Sequence, residues 1–249
     1  MAKRILRACA ALIFATCALV GVEIVLALRR EYLPTEPALE IGGSFGESGP
    51  GVEQLRFVVL GDSTAAGVGA GSPENAYASL LAERLAATGR HVRLTALGMS
   101  GARIDDLLET QVPAVAGLEP DLVFVWIGAN DVTHLTPLDD VRRDMGRLID
   151  GLSDTGATLV VAGPPDMRAA AFYEPLRWLA GLRGRQVESA IDDVARERGV
   201  PVVQLAERTA SYFGSDPDSH YSSDEFHPGP GGYRRWADAI FPVLEEALS

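Results

Sequence analysis

From residue 55 onward, short apolar blocks alternate with longer segments in which apolar residues recur every three or four positions. The blocks at residues 55–60, 91–97, 122–127, 158–162 and 201–205 predict strands. The periodic segments predict helices at about residues 73–88, 102–115, 138–153, 175–198 and 231–248, the first with Ser72 as its N-cap and Pro73 at the first helical position. Runs such as "LVFVWI" are apolar without alternation, as strands buried on both faces are, and strands separated by helices imply a parallel sheet. The expected fold is α/β: a three-layer α/β/α, flavodoxin-like arrangement with a five-stranded parallel sheet. In the strand order 2-1-3-4-5, the ends of the second, first and third strands are neighbours, and ligands bind at such ends.

The first 54 residues follow a different pattern. Lys3, Arg4 and Arg7 precede an apolar run, residues 8–28, that contains the single charge of Glu23 and ends at Arg29 and Arg30. As a helix that run reaches about 30 Å, enough for the hydrocarbon core of a bilayer. Residues 1–30 are therefore expected to be an N-terminal transmembrane helix. The paired arginines fit a stop better than a cleaved secretory signal, the alternative reading. The more positive flank precedes the run, which puts the rest of the chain on the extracytoplasmic side, anchored or, if the segment is cleaved, secreted. Residues 31–54 are rich in Pro, Gly, Ser and Glu and read as a flexible linker. Residues 55–249 form the remaining domain.

Charge and cysteine content narrow the partners. Residues 1–31 carry five basic and two acidic groups, so the net charge of −12 leaves −15 on the rest. Such a domain is repelled by nucleic acid and by anionic lipid surfaces. Both cysteines, Cys9 and Cys17, lie in the apolar run, which leaves the domain no disulfide and no thiolate metal site. The sequence sets no oligomeric state.

The loop after the first predicted strand, in "FVVLGDSTAAGVGAG", is the densest glycine segment near a strand end. A phosphate-binding P-loop requires a lysine there, and the only lysine of the chain is Lys3. A dinucleotide fingerprint requires a third glycine where Ser72 stands, and a nucleophile elbow requires glycine where Ala65 stands. What remains is Ser63, a hydroxyl that needs a base, and a base that needs a third group to orient it. Of four histidines, His91 opens a strand at the wrong end of the sheet and His134 follows "IGANDV". His220 and His227 share a polar loop with several acids, and local spacing leaves both open as the base.

The blocks "GDST", "GMSG", "GAND" and "DEFH", in this order and spacing, resemble those of the SGNH (GDSL) hydrolase family, over residues 55 to about 248. The resemblance implies a serine nucleophile at Ser63, a triad completed by Asp224 and His227, and an oxyanion hole formed with Gly98 and Asn130. Ala96 stands where the family often has asparagine, so one supporting hydrogen bond is expected to be missing. Thr64 replaces a common leucine, with little consequence expected.

The implied activity is hydrolysis of carboxylic esters, with no metal and no organic cofactor. The resemblance does not choose among small acyl esters, lysophospholipids and O-acetylated sugars as substrates. The alternatives are an O-acyltransferase acting on an extracytoplasmic glycan, which would use the same residues, and a catalytically silent binding module tethered to the envelope. Residues 164–185 bring Phe172, Tyr173 and Trp178 after the fourth strand, either as core packing or as an acyl-facing wall.

Overall fold

The apolar blocks become the strands of one sheet in a computed structural model that describes residues 1–249. Helix α1, Ala2–Arg29, is followed by strands β1, Gly42–Phe45, and β2, Gln54–Gly61, and by helix α2, Tyr77–Ala87. Then come β3 (His91–Ala96), α3 (Ile104–Thr110), α4 (Val112–Val115), β4 (Leu122–Trp126), α5 (Ala129–Thr133) and α6 (Leu138–Ser153). The chain ends with β5 (Thr158–Ala162), α7 (Leu176–Glu197), β6 (Val202–Val203), α8 (Leu205–Ser215), α9 (Pro217–His220) and α10 (Pro230–Ala247).

The sheet runs β1-β3-β2-β4-β5-β6. Strands β2 to β6 are parallel and in the 2-1-3-4-5 order expected of them. Because side chains alternate along a strand, each strand feeds both faces. Phe57, Val59, Phe124, Trp126 and Val160 pack with α2 and α10 on one side. Val58, Leu60, Val123, Val125 and Val161 pack with α3, α6 and α7 on the other. The absence of alternation in "LVFVWI" is thus the signature of two covered faces.

Several elements depart from expectation. The sheet has a sixth strand: β1 pairs antiparallel with β3, from Gly42 opposite Thr95 to Phe45 opposite Val92. It lies in the segment read as a flexible linker, and its Gly-Gly-Ser-Phe sequence is held by main-chain pairing and by Phe45, which packs against the core beside the buried Ile41. The helix expected at 73–88 is a turn, Pro73–Asn75, followed by α2; Ser72 makes no capping bond and instead accepts from the Asn75 side-chain amide at 3.2 Å. The helix expected at 102–115 is divided into α3 and α4 around Gln111. Helices α5, α8 and α9 are additional.

Helix α1 has a mean hydropathy of 2.5 over its apolar window and is almost wholly exposed there. Its last turns dock on the domain. The buried Glu23 carboxylate accepts the Leu176 N–H at 2.8 Å, at the start of α7, where unpaired amides and the helix dipole favour an anion. Ala27 packs against a small cluster of Ala169, Ala171 and Phe172.

Candidate active site

Strand β2 delivers Ser63 two residues beyond its last paired position, Gly61. The loop is fixed from within: the buried Asp62 carboxylate accepts the Thr64 N–H at 2.9 Å and the Thr64 hydroxyl at 3.0 Å. It is also fixed from below. Gln111, 4% exposed, accepts the Gly61 N–H at 3.0 Å and donates to the Gly61 carbonyl at 2.8 Å. The β2–β3 ladder ends at Val59; beyond it the chain after β3 gives the Gly61 carbonyl one bond, from the Met99 amide, and Gln111 adds a second donor to that carbonyl and the acceptor for the Gly61 N–H. The sequence reading missed Gln111, although a polar residue in line with Leu107 and Val115 on an apolar helical stripe is a visible signal.

The glycine run after Ser63 lets this loop meet the segment bearing His227. A Cβ on Gly69, which has φ +90°, would lie 2.2 Å from the Pro228 carbonyl oxygen. The contact leaves His227 Nε2 at 3.2 Å from Ser63 Oγ, and His227 Nδ1 at 2.7 Å from Asp224 Oδ2. Asp224 Oδ1 accepts from the Ser222 hydroxyl and from the Phe226 and His227 amides at 2.8–3.0 Å. Burial pushes the Asp224 pKa up. The hydrogen bonds from the His227 ring, the Phe226 and His227 amides and the Leu33 amide outweigh that burial and hold the carboxyl well below its ordinary range.

The other histidines lie elsewhere. His220 is buried beside Phe213 and Tyr212 with Nδ1 on the Asp216 carbonyl, and His91 is paired with Gln54. His134 bonds the Asn130 carbonyl from an exposed position. Of the two histidines that spacing left open, His227 faces Ser63 and His220 does not.

Gly98 and Asn130 come from the ends of β3 and β4, on either side of the Ser63 loop. The N–H groups of Ser63 and Gly98 donate to no protein acceptor. Asn130 donates one side-chain N–H to the Ala102 carbonyl at 2.9 Å, and its amide nitrogen has a second proton to offer. Without an asparagine at position 96, Gly98 is held by its neighbours: the Leu97 amide bonds the Val59 carbonyl at 2.8 Å and the Met99 amide bonds the Gly61 carbonyl at 3.1 Å.

Asp131, beside Asn130, is 1% exposed and accepts the Ile104 N–H at 3.3 Å, joining α5 to the start of α3. Burial pushes its pKa up from 3.8 to about 6. The folded value lies above the unfolded one, so the cost of ionising Asp131 is small at pH 4, grows as pH rises from there to about 6 and is complete above that. Asp131→Asn is expected to raise stability at pH 7.5 by up to about 3 kcal/mol and to change it little at pH 4, as thermal unfolding at the two pH values would measure.

A cavity of about 60 Å³ opens beside Ser63 and His227, with walls that include Met167, Ala169, Phe213, Tyr221, Phe226 and Trp236. Of the aromatic residues expected from 164–185, none reaches it. Phe172 is buried against Phe226, while Tyr173 and Trp178 are 64% and 55% exposed. The same segment lines the cavity with Pro165, Asp166, Met167 and Ala169 instead.

The chain is similar to several known proteins. The GDSL-like esterase Rv1075c of Mycobacterium tuberculosis is 32% identical over 198 residues, which cover 78% of this chain and 63% of that protein. A lipase of Streptomyces rimosus is 37% identical over 103 residues, 38% of each chain. The chain thus spans less than two thirds of the length of these relatives. Among solved structures, the lipase/acylhydrolase from Enterococcus faecalis has a TM-score of 0.64 at 21% identity, over 77% of this chain and 96% of that one. A catalytic mutant of an acetylxylan esterase from Geobacillus stearothermophilus has a TM-score of 0.62 at 18% identity, over 78% and 95%. At such identities the likeness shows a shared fold. The model of the GDSL-like lipase/acylhydrolase family matches residues 59–235, well over half of the sequence, and the chain belongs to that family.

Proposed function

We propose that this protein is a serine esterase that hydrolyses short-chain carboxylic esters through an acyl-enzyme on Ser63. The observation that carries the reading is the chain of two contacts from Ser63 Oγ to His227 Nε2 and from His227 Nδ1 to Asp224. Ser63 Oγ attacks the ester carbonyl while its proton passes to His227 Nε2, and Asp224 stabilises the imidazolium. The Ser63 and Gly98 amides and the Asn130 side chain are the donors for the oxygen that becomes negative. Collapse of the intermediate expels the alcohol, which takes the proton from His227. Water then repeats the sequence on the acyl-enzyme, with His227 as base, and releases the acid.

The short acyl group is argued from space. About 10–15 Å³ of such volume holds one water, so a cavity of about 60 Å³ has room for an acyl group of only a few heavy atoms. Acetyl esters, including those of O-acetylated sugars, fit it better than lipid-length chains, and the fold likeness to an acetylxylan esterase points the same way. Residues 55–249 are the hydrolase domain of this reading. Helix α1, apolar and exposed over most of its length, anchors it on the extracytoplasmic side, with its last turns docked on the domain.

The test is reaction of the purified full-length protein with a fluorophosphonate, followed by peptide mass analysis, together with turnover of nitrophenyl esters from acetyl to dodecanoyl. Modification of Ser63 and a rate that falls with chain length are expected. An unmodified Ser63 would overturn the mechanism, and a maximum at long chains would overturn the substrate class.

A further inference from the structure

The segment that leaves the apolar helix runs directly over the turn carrying Asp224 and His227, and it meets that turn at three successive points. Arg30 Nε donates to the Asp224 carbonyl at 3.1 Å, and its guanidinium also pairs with Glu225. The Tyr32 ring meets Phe226 edge-on, with centroids 5.3 Å apart. The Leu33 N–H donates to Asp224 Oδ2 at 3.1 Å, onto the same oxygen that holds His227 Nδ1. All the other donors to this carboxylate come from its own loop, residues 222–227. Residues 30–33 lie outside the span matched by the family, 59–235, so the contact is not part of what that family supplies.

We infer that residues 30–33 form a strap that positions the triad, with the Leu33 amide as its working group. A carboxylate that orients an imidazole must itself be held, because a displacement of about 1 Å in a catalytic group can cost on the order of 10²-fold in rate. The loop bonds fix Oδ1; the Leu33 amide fixes Oδ2 and so sets the direction of the His227 ring. It also shares the charge on that oxygen. The strap therefore moves kcat and leaves KM alone, since Leu33 does not line the acyl cavity.

This inference rests on the serine-esterase reading, and its test is built to separate the two. Leu33→Pro in the full-length protein deletes the donor, since proline has no N–H, and Leu33→Ala keeps it. Leu33→Pro is expected to lower kcat and the rate of phosphonate labelling about tenfold, with KM unchanged. Leu33→Ala, the conservative variant, recovers both rates to within about twofold of wild type. Equal loss in the two variants, or none in Leu33→Pro, would overturn the strap. Should Leu33→Pro fail to fold, Arg30→Ala decides: a several-fold fall in kcat at unchanged Tm supports the strap, and a wild-type kcat overturns it. An unlabelled wild-type protein would overturn the esterase reading and the strap with it, whereas normal labelling in every variant removes the strap alone.

Discussion

Ser63→Ala is expected to lower kcat by roughly 10⁴- to 10⁶-fold, and His227→Ala by a similar factor, with both variants folding normally. A serine hydroxyl is a poor nucleophile until its proton has somewhere to go, and in this site the acceptor is His227 Nε2, 3.2 Å away. Either deletion removes the same step, so the effects cannot add: the double variant should be no slower than the worse single one. Residual activity above the uncatalysed reaction would come from the amide donors, which neither change touches. The hydroxyl of Ser63 is half-buried and has no partner but His227, so its loss removes one hydrogen bond, at 3.2 Å, and should lower Tm by no more than that single bond contributes. Steady-state kinetics of the two single variants and the double variant check the argument. A product of the two losses would contradict it.

What could be read from the sequence was whatever side-chain pattern decides. Unbroken apolar runs reported strands with two covered faces, and amphipathic periods reported the helices over them, so layer order and strand order followed. The four blocks pointed to Ser63, Gly98, Asn130, Asp224 and His227, and the sheet gathers these residues, from four loops, at one end. Features decided by backbone were invisible. Strand β1 is mostly pairing between main chains in a Gly-rich stretch, with Ile41 and Phe45 too few to make a readable pattern. The bond from Leu33 to Asp224 uses an N–H that every residue but proline possesses. The choice between His220 and His227 depended on which ring faces a serine 164 positions away in the chain, and spacing to nearby acids carries no such information. Gln111 lies between these cases: its place on an apolar stripe was legible, but its task of closing the end of β2 required knowing where β3 stops pairing.

Gly98→Ala is the change of fewest atoms with a large expected effect, a fall in kcat of roughly 10³-fold with Tm lowered as well. A Cβ on Gly98 would lie 2.1 Å from the Ala66 nitrogen and 2.3 Å from the Ala65 carbonyl carbon, and all of these are backbone atoms with no rotamer to escape into. The requirement is close approach, not an unusual backbone angle, so the strain falls on the neighbour: either the Gly98 loop withdraws or the loop of residues 62–66 does. The first movement takes the Gly98 N–H away from the forming oxyanion, at a cost of about 10²–10³ for one donor. The second displaces Ser63 relative to His227, whose contact at 3.2 Å has little length to spare. The two movements separate in measurement. Loss of the donor alone lowers kcat while phosphonate labelling, which also needs the oxyanion site, falls in proportion; displacement of Ser63 additionally breaks the hydrogen bond that a Ser63→Ala background lacks, so Gly98→Ala would then cost less stability in that background. A folded Gly98→Ala protein with wild-type kcat would mean that neither movement matters to the chemistry, and that Gly98 serves packing alone.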